Sequence, residues 1–121
     1  IAIKTFHAKL APHQTLVIPH ELLGYKKNEF WFNSALPGES TGSHNHNGKA
    51  IVSGVYYLQV PNKSGNVIFI HENKKKLEIT AKREKLIFFP PKLDHFVQEN
   101  MSSETRISLS FNCYLFPLIE K

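Results

Sequence analysis

His44 and His46 flank Asn45 just ahead of the long apolar stretch AIVSGVYYLQV at 50–60. In an extended chain, residues two apart project to the same face, so both imidazoles point together. Imidazole is the commonest metal ligand, and two rings placed this way can fill neighbouring positions of one coordination sphere. His95 follows about fifty residues later, after the apolar run LIFFP and the turn PKLD. Strands separated in this manner return to the same end of a jelly roll, so the three rings could converge on one metal. The competing reading is three solvated side chains, the first two in a loop dense in Gly, Ser and Asn.

A second pattern lies in TRISLSFN at 105–112. Alternation puts Arg106, Ser108, Ser110 and Asn112 on one face, and Ile107, Leu109 and Phe111 on the other. Two accounts fit: a surface strand with a wet polar face, or a strand whose polar face lines a cavity. In the second, Arg106 would offer its planar fork to a carboxylate.

The chain has seven histidines, roughly twice ordinary usage, and nine phenylalanines. His7, His13, His20 and His71 have no partner at ligand spacing and are read as solvated. Trp31, Phe88 and Phe89 are read as core, because aromatics dominate small β cores. Cys113 is read as a small buried hydrophobe. Lysines at 74–76 with Lys82, Arg83 and Lys85 are expected on one solvated hairpin. No aromatic is interleaved among them, which argues against a nucleic-acid partner.

The elements that must carry these side chains read as strands. EFWFN (29–33), 50–60, VIFI (67–70), 77–80, LIFF (86–89) and 105–112 are β-branched or aromatic runs separated by turn residues, with a final apolar stretch at 114–119. Segment 1–23 is weakly patterned and broken by Pro12 and Pro19, as expected of an arm or edge strands. Residues 35–48 read as a loop. The one mild helical candidate is 20–26. Short strands at this spacing predict an all-β antiparallel sandwich or barrel.

Composition sets the outer limits. With 121 residues, 41% hydrophobic and 21% charged, the chain matches one globular domain, with 1–28 as the arm and 29–121 as the core. No apolar run reaches the roughly eighteen residues of a membrane span, and no stretch of the sequence reads as a secretory-type leader, so none is expected. One cysteine cannot form an internal disulfide, so a reducing cytoplasm is expected. The net charge of +5 permits an anionic partner without establishing one. Oligomer formation is left open.

From Trp31 to Asn112 the sequence resembles a bacterial and phage family of 2-oxoglutarate/Fe(II)-dependent oxygenases. The resemblance rests on WFN at 31–33, HNH at 44–46, SGVYYLQVP at 53–61, FFPPKLDH at 88–95 and RISLSFN at 106–112, all in order. More distantly it is similar to prolyl hydroxylases. The resemblance implies a double-stranded β-helix of jelly-roll or cupin type, Fe(II) as metal and 2-oxoglutarate as cosubstrate. It also implies hydroxylation of a small-molecule or protein side-chain substrate. By position, His44 matches the first iron ligand and His95 the distal one. Arg106 matches the arginine that pairs with the C5 carboxylate of 2-oxoglutarate, and Tyr57 a tyrosine that hydrogen-bonds the same group. Ser108 is a further candidate there. His46 departs from the pattern, standing where such oxygenases usually carry Asp or Glu. That leaves the third ligand open, with Asp94 and Glu39 as nearby carboxylates. Two other readings stay open: a cupin-like dioxygenase using three histidines, and a non-catalytic β-sandwich binding module.

Overall fold

A computed structural model describes residues 15–45 and 50–116. Among these residues, nine strands and one short 3-10 turn make up the regular structure: β1 (Thr15–Val17), the 3-10 turn (Glu21–Leu23), β2 (Phe30–Ala35), β3 (Thr41–His44), β4 (Val52–Gln59), β5 (Val67–Ile70), β6 (Lys76–Ile79), β7 (Leu86–Phe89), β8 (Asp94–Val97) and β9 (Arg106–Phe116). Every pairing is antiparallel. One sheet has β9 at its centre. One edge of β9 takes β2 along Arg106–Phe111 and β1 beyond it, and the other edge takes β4 and then β7. The second sheet runs β3-β8-β5-β6. The jelly-roll expectation holds for the described residues.

Strand alternation splits the five-stranded sheet into two chemically different faces. Tyr57, Ile87 and Phe89 pack inward against Val67 and Phe69 of the facing sheet, forming the inter-sheet core. On the outer face Val52, Phe111 and Cys113 form a separate cluster with Leu16, Ile18, Phe30 and Phe88. Adjacent phenylalanines therefore have different surroundings: Phe89 is inter-sheet core, whereas Phe88 belongs to the outer cluster. Gly54 permits this outer packing. A Cβ there would run into the Phe111 ring, directly across on β9. The next row along the outer face, Phe32, Leu109, Tyr56 and Leu86, crosses four strands in register, with Phe32 and Leu86 exposed at its ends.

The strand expectations for 67–70 and 86–89 match the observed bounds. Two strands were hidden. β3 lies inside the segment read as loop, and β8 carries His95 where only a turn was read. Both are four residues long, begin on a polar residue, and are held by pairing rather than by propensity. β9 is one eleven-residue strand where two were expected. The helical candidate shrinks to the 3-10 turn, closed by Gly24 in the left-handed region. Lysines 74–76 and the group at 82–85 stand at opposite ends of β6, so they do not share one hairpin tip. Among the described residues no helix is long and apolar enough to cross a membrane.

Candidate active site

A cavity of about 410 Å³ lies between the sheets. Arg106, Ser108 and Ser110 of β9 line it, with Tyr57 of β4, Trp31 and Asn33 of β2, and His95 of β8. The polar face of β9 is thus an internal wall. Its Ser108 is directly paired with Tyr57 on one side and with Asn33 on the other. Ser110 accepts a hydrogen bond from Asn33 Nδ2 at 2.6 Å. Trp31 is half-buried and lines this cavity rather than a sealed core.

Arg106 is 6% exposed. Its Nη1 donates to the Ser64 carbonyl and lies 3.5 Å from that of Gly65, in the turn between β4 and β5. Gly65 has φ +97°, and a Cβ there would stand 2.5 Å from the Gln98 oxygen and 2.9 Å from Arg106 Nη1. The turn therefore needs glycine twice over, for its backbone angle and for its closeness to the guanidinium. Among the described residues no carboxylate comes within ion-pair distance of Arg106. Burial holds its pKa below the usual arginine value, with the neighbouring Tyr57 offsetting part of that. Tyr57 is 5% exposed, and burial pushes its hydroxyl up to about 12, against the pull of Arg106. It is a neutral phenol beside a buried cation. A buried cation with backbone carbonyls but no anion around it is costly. A dicarboxylate cosubstrate would supply the missing charge, so the residues present fit 2-oxoglutarate.

His95 is 5% exposed and packs against Phe69 and Phe89, with ring centroids 5.6 and 4.9 Å away. Its Nδ1 lies 3.0 Å from the Leu93 carbonyl. A carbonyl only accepts, so Nδ1 carries the proton in this contact and the lone pair sits on Nε2. This is the tautomer of a metal-ligating imidazole. β3 brings His44 directly opposite His95 in backbone register. The His44 side chain and the whole of His46 lie outside the described residues. The described residues alone contain no group of three metal-binding side chains.

Both alternative carboxylates have hydrogen-bond partners of their own. Glu39 Oε1 accepts from Leu36 N at 2.6 Å and closes the turn between β2 and β3. Asp94 precedes His95 on the same strand and so projects to the opposite face, where it accepts from Asn45 Nδ2 at 2.7 Å. His20, read as solvated, instead caps the 3-10 turn through Nδ1 and stacks on Phe30 at 4.1 Å. Sequence reasoning also missed Asn33, whose contact with Ser110 depends on β2 pairing with a strand about 75 residues away.

The family model described as "Putative 2OG-Fe(II) oxygenase" matches residues 29–85 and 70–112. The chain belongs to this 2OG-Fe(II) oxygenase family. Membership implies Fe(II) as cofactor and 2-oxoglutarate as cosubstrate. Solved structures share the fold. A Pseudomonas putida prolyl-4-hydroxylase is 21% identical with a TM-score of 0.59, over 69% of this chain and 50% of its own. An oxidoreductase of the 2OG-Fe(II) oxygenase family from Burkholderia pseudomallei is 15% identical with a TM-score of 0.73, over 92% and 50%. A predicted oxalate decarboxylase from Thermotoga maritima is 23% identical with a TM-score of 0.51, over 85% and 79%. The chain thus matches half the length of the first two. No curated protein matches it.

Proposed function

We propose that this member of the 2OG-Fe(II) oxygenase family is a hydroxylase built on a single double-stranded β-helix domain. His44, His46 and His95 would hold Fe(II), and Arg106, with Tyr57 and Ser108, would bind the C5 carboxylate of 2-oxoglutarate. When bound, the metal and cosubstrate supply oxidative chemistry: O2, 2-oxoglutarate and a substrate C–H give CO2, succinate and a C–OH. The chain's own part is positioning. His95 presents Nε2 because Leu93 fixes its tautomer. Arg106 keeps the rest of its fork for the carboxylate because the turn carbonyls take only Nη1. The apolar walls from Val67, Phe69 and Ile87 limit water in the cavity, which strengthens every charge–charge contact inside it. A His46 ligand in place of a carboxylate would leave the metal site one unit more positive than the usual two-histidine, one-carboxylate set.

The observation that carries the reading is Arg106: a buried guanidinium on the cavity wall without an acidic partner among the described residues. The substrate is a small molecule or a protein side chain, and the setting is the cytoplasm, where Fe(II) and the Cys113 thiol stay reduced. The test is anaerobic titration with Fe(II) and then 2-oxoglutarate, followed by calorimetry. Sequential binding of both supports the oxygenase. Metal binding without 2-oxoglutarate would instead support a cupin-like three-histidine site, and binding of neither a non-catalytic module.

A further inference from the structure

β3 is a weak place to hang a metal ligand. It is the edge of the four-stranded sheet, and its pairing with β8 is irregular between Thr41 and His44. Only the pairs Thr41–Val97 and His44–His95 are in register. Past the second pair the strand ends, and the chain enters the segment that carries the other half of the H-x-H motif. One side-chain bond adds to the backbone pairing here: Asn45 Nδ2 donates to Asp94 Oδ1 at 2.7 Å. Asn45 directly follows His44, and Asp94 directly precedes His95. Both side chains are exposed, with Asp94 projecting away from the cavity that His95 lines. The bond therefore lies on the face of the sheet opposite His95 and joins β3 to β8 at the point where the backbone ladder gives out.

We propose that Asn45 and Asp94 form a latch that holds the end of β3, and with it the His44 backbone, in register with His95, making both of them positioning residues for the metal centre. The inference rests on the metal-centre reading above. An amide donating to a carboxylate is a charge-assisted bond and stronger than a neutral pair. Here it is solvent-exposed, which lowers its effect to the range of an ordinary net hydrogen bond. Its contribution lies in fixing the His44 backbone opposite His95 before metal arrives, so it should appear mainly in metal affinity.

The test is a double-mutant cycle read by anaerobic calorimetry with Fe(II), with Co(II) and its visible spectrum as a second metal probe. Asn45→Ala and Asp94→Ala should each weaken metal binding by about fivefold. The double variant should be no weaker than the weaker single, because both changes remove the same bond. Exchanging the partners (Asn45→Asp with Asp94→Asn) re-forms an amide–carboxylate bond and should return affinity to within about threefold of wild type. The metal-free melting temperatures should stay together across the set, and the Co(II) spectrum should keep its shape. Multiplicative losses in the double variant, or wild-type affinity in either single, would overturn the latch while leaving the metal centre intact. If wild type and His95→Ala bind metal equally, or wild type binds none, the metal-centre reading fails and the latch goes with it.

Discussion

Replacing Arg106 by alanine removes a buried cation from the cavity wall and leaves the metal-side histidines untouched. A buried ion pair stripped of one partner costs about 3–5 kcal/mol. The Ser64 and Gly65 carbonyls already occupy Nη1, so only part of the fork meets the cosubstrate, and the lower figure applies. About 3 kcal/mol is slightly more than a hundredfold in affinity. The 2-oxoglutarate dissociation constant of Arg106→Ala should therefore rise more than a hundredfold. Arg106→Lys, which keeps the charge and loses the planar fork, should fall between. Fe(II) affinity should stay within about twofold, since Arg106 stands on β9 and His95 on β8 of the other sheet. Global stability should move little, because the unsatisfied Ser64 carbonyl left behind costs about 1–3 kcal/mol while a desolvated cation is removed. The assay is calorimetric titration of 2-oxoglutarate into Fe(II)-loaded protein under nitrogen, with thermal melts of the metal-free variants. Equal 2-oxoglutarate affinity in wild type and Arg106→Ala would refute the cosubstrate assignment. A parallel fall in Fe(II) affinity would show that Arg106 acts through the fold instead.

The other predictions concern the metal end, the turn and the core. His95→Ala should abolish Fe(II) binding while the β circular-dichroism signature persists, and full iron stoichiometry in that variant would remove His95 from the site. His46→Asp should retain iron and keep or raise 2-oxoglutarate decarboxylation, whereas His46→Ala should weaken iron binding by more than about tenfold; unchanged affinity in the alanine variant assigns the ligand elsewhere. Gly65→Ala should lower stability by about 1–3 kcal/mol and weaken 2-oxoglutarate through the displaced Arg106, so a melt and a titration matching wild type would mean that the turn does not hold the guanidinium. Burial raises the Cys113 thiol from 9.0 to about 11, so between those values the folded state keeps a proton that the unfolded state releases. Stability is then full below pH 9 and declines as pH rises to 11, by up to about 2–3 kcal/mol from this group; Cys113→Ala should flatten that limb in urea melts, and parallel curves for the two proteins would rule the thiol out.

How much of this was legible depends on the range of the interactions involved. VIFI at 67–70 and LIFF at 86–89 declare themselves as strands, because β-branched and aromatic runs bounded by turns fit one structure. The alternation in RISLSFN correctly divides β9 into a polar and an apolar face, since side-chain direction in a strand is a local property with period two. Alternation cannot say which face is wet. Only the pairing of β9 with β2 and β4, and the second sheet stacked above, encloses Arg106 and Ser108 in a cavity. The ordered motifs from Trp31 to Asn112 likewise carry the family resemblance in the sequence itself. β3 and β8 stayed hidden because each is only four residues long and exists through its partner, so the signal of their pairing lies in residues about fifty positions away. The tautomer of His95, the turn that grips Arg106 and the Asn45–Asp94 bond share that origin. The sequence determines which side chains are available and which way each points from its strand. Tertiary pairing decides which of them meet, because a four-residue strand has too little local free energy to choose its own register and takes it from its neighbours.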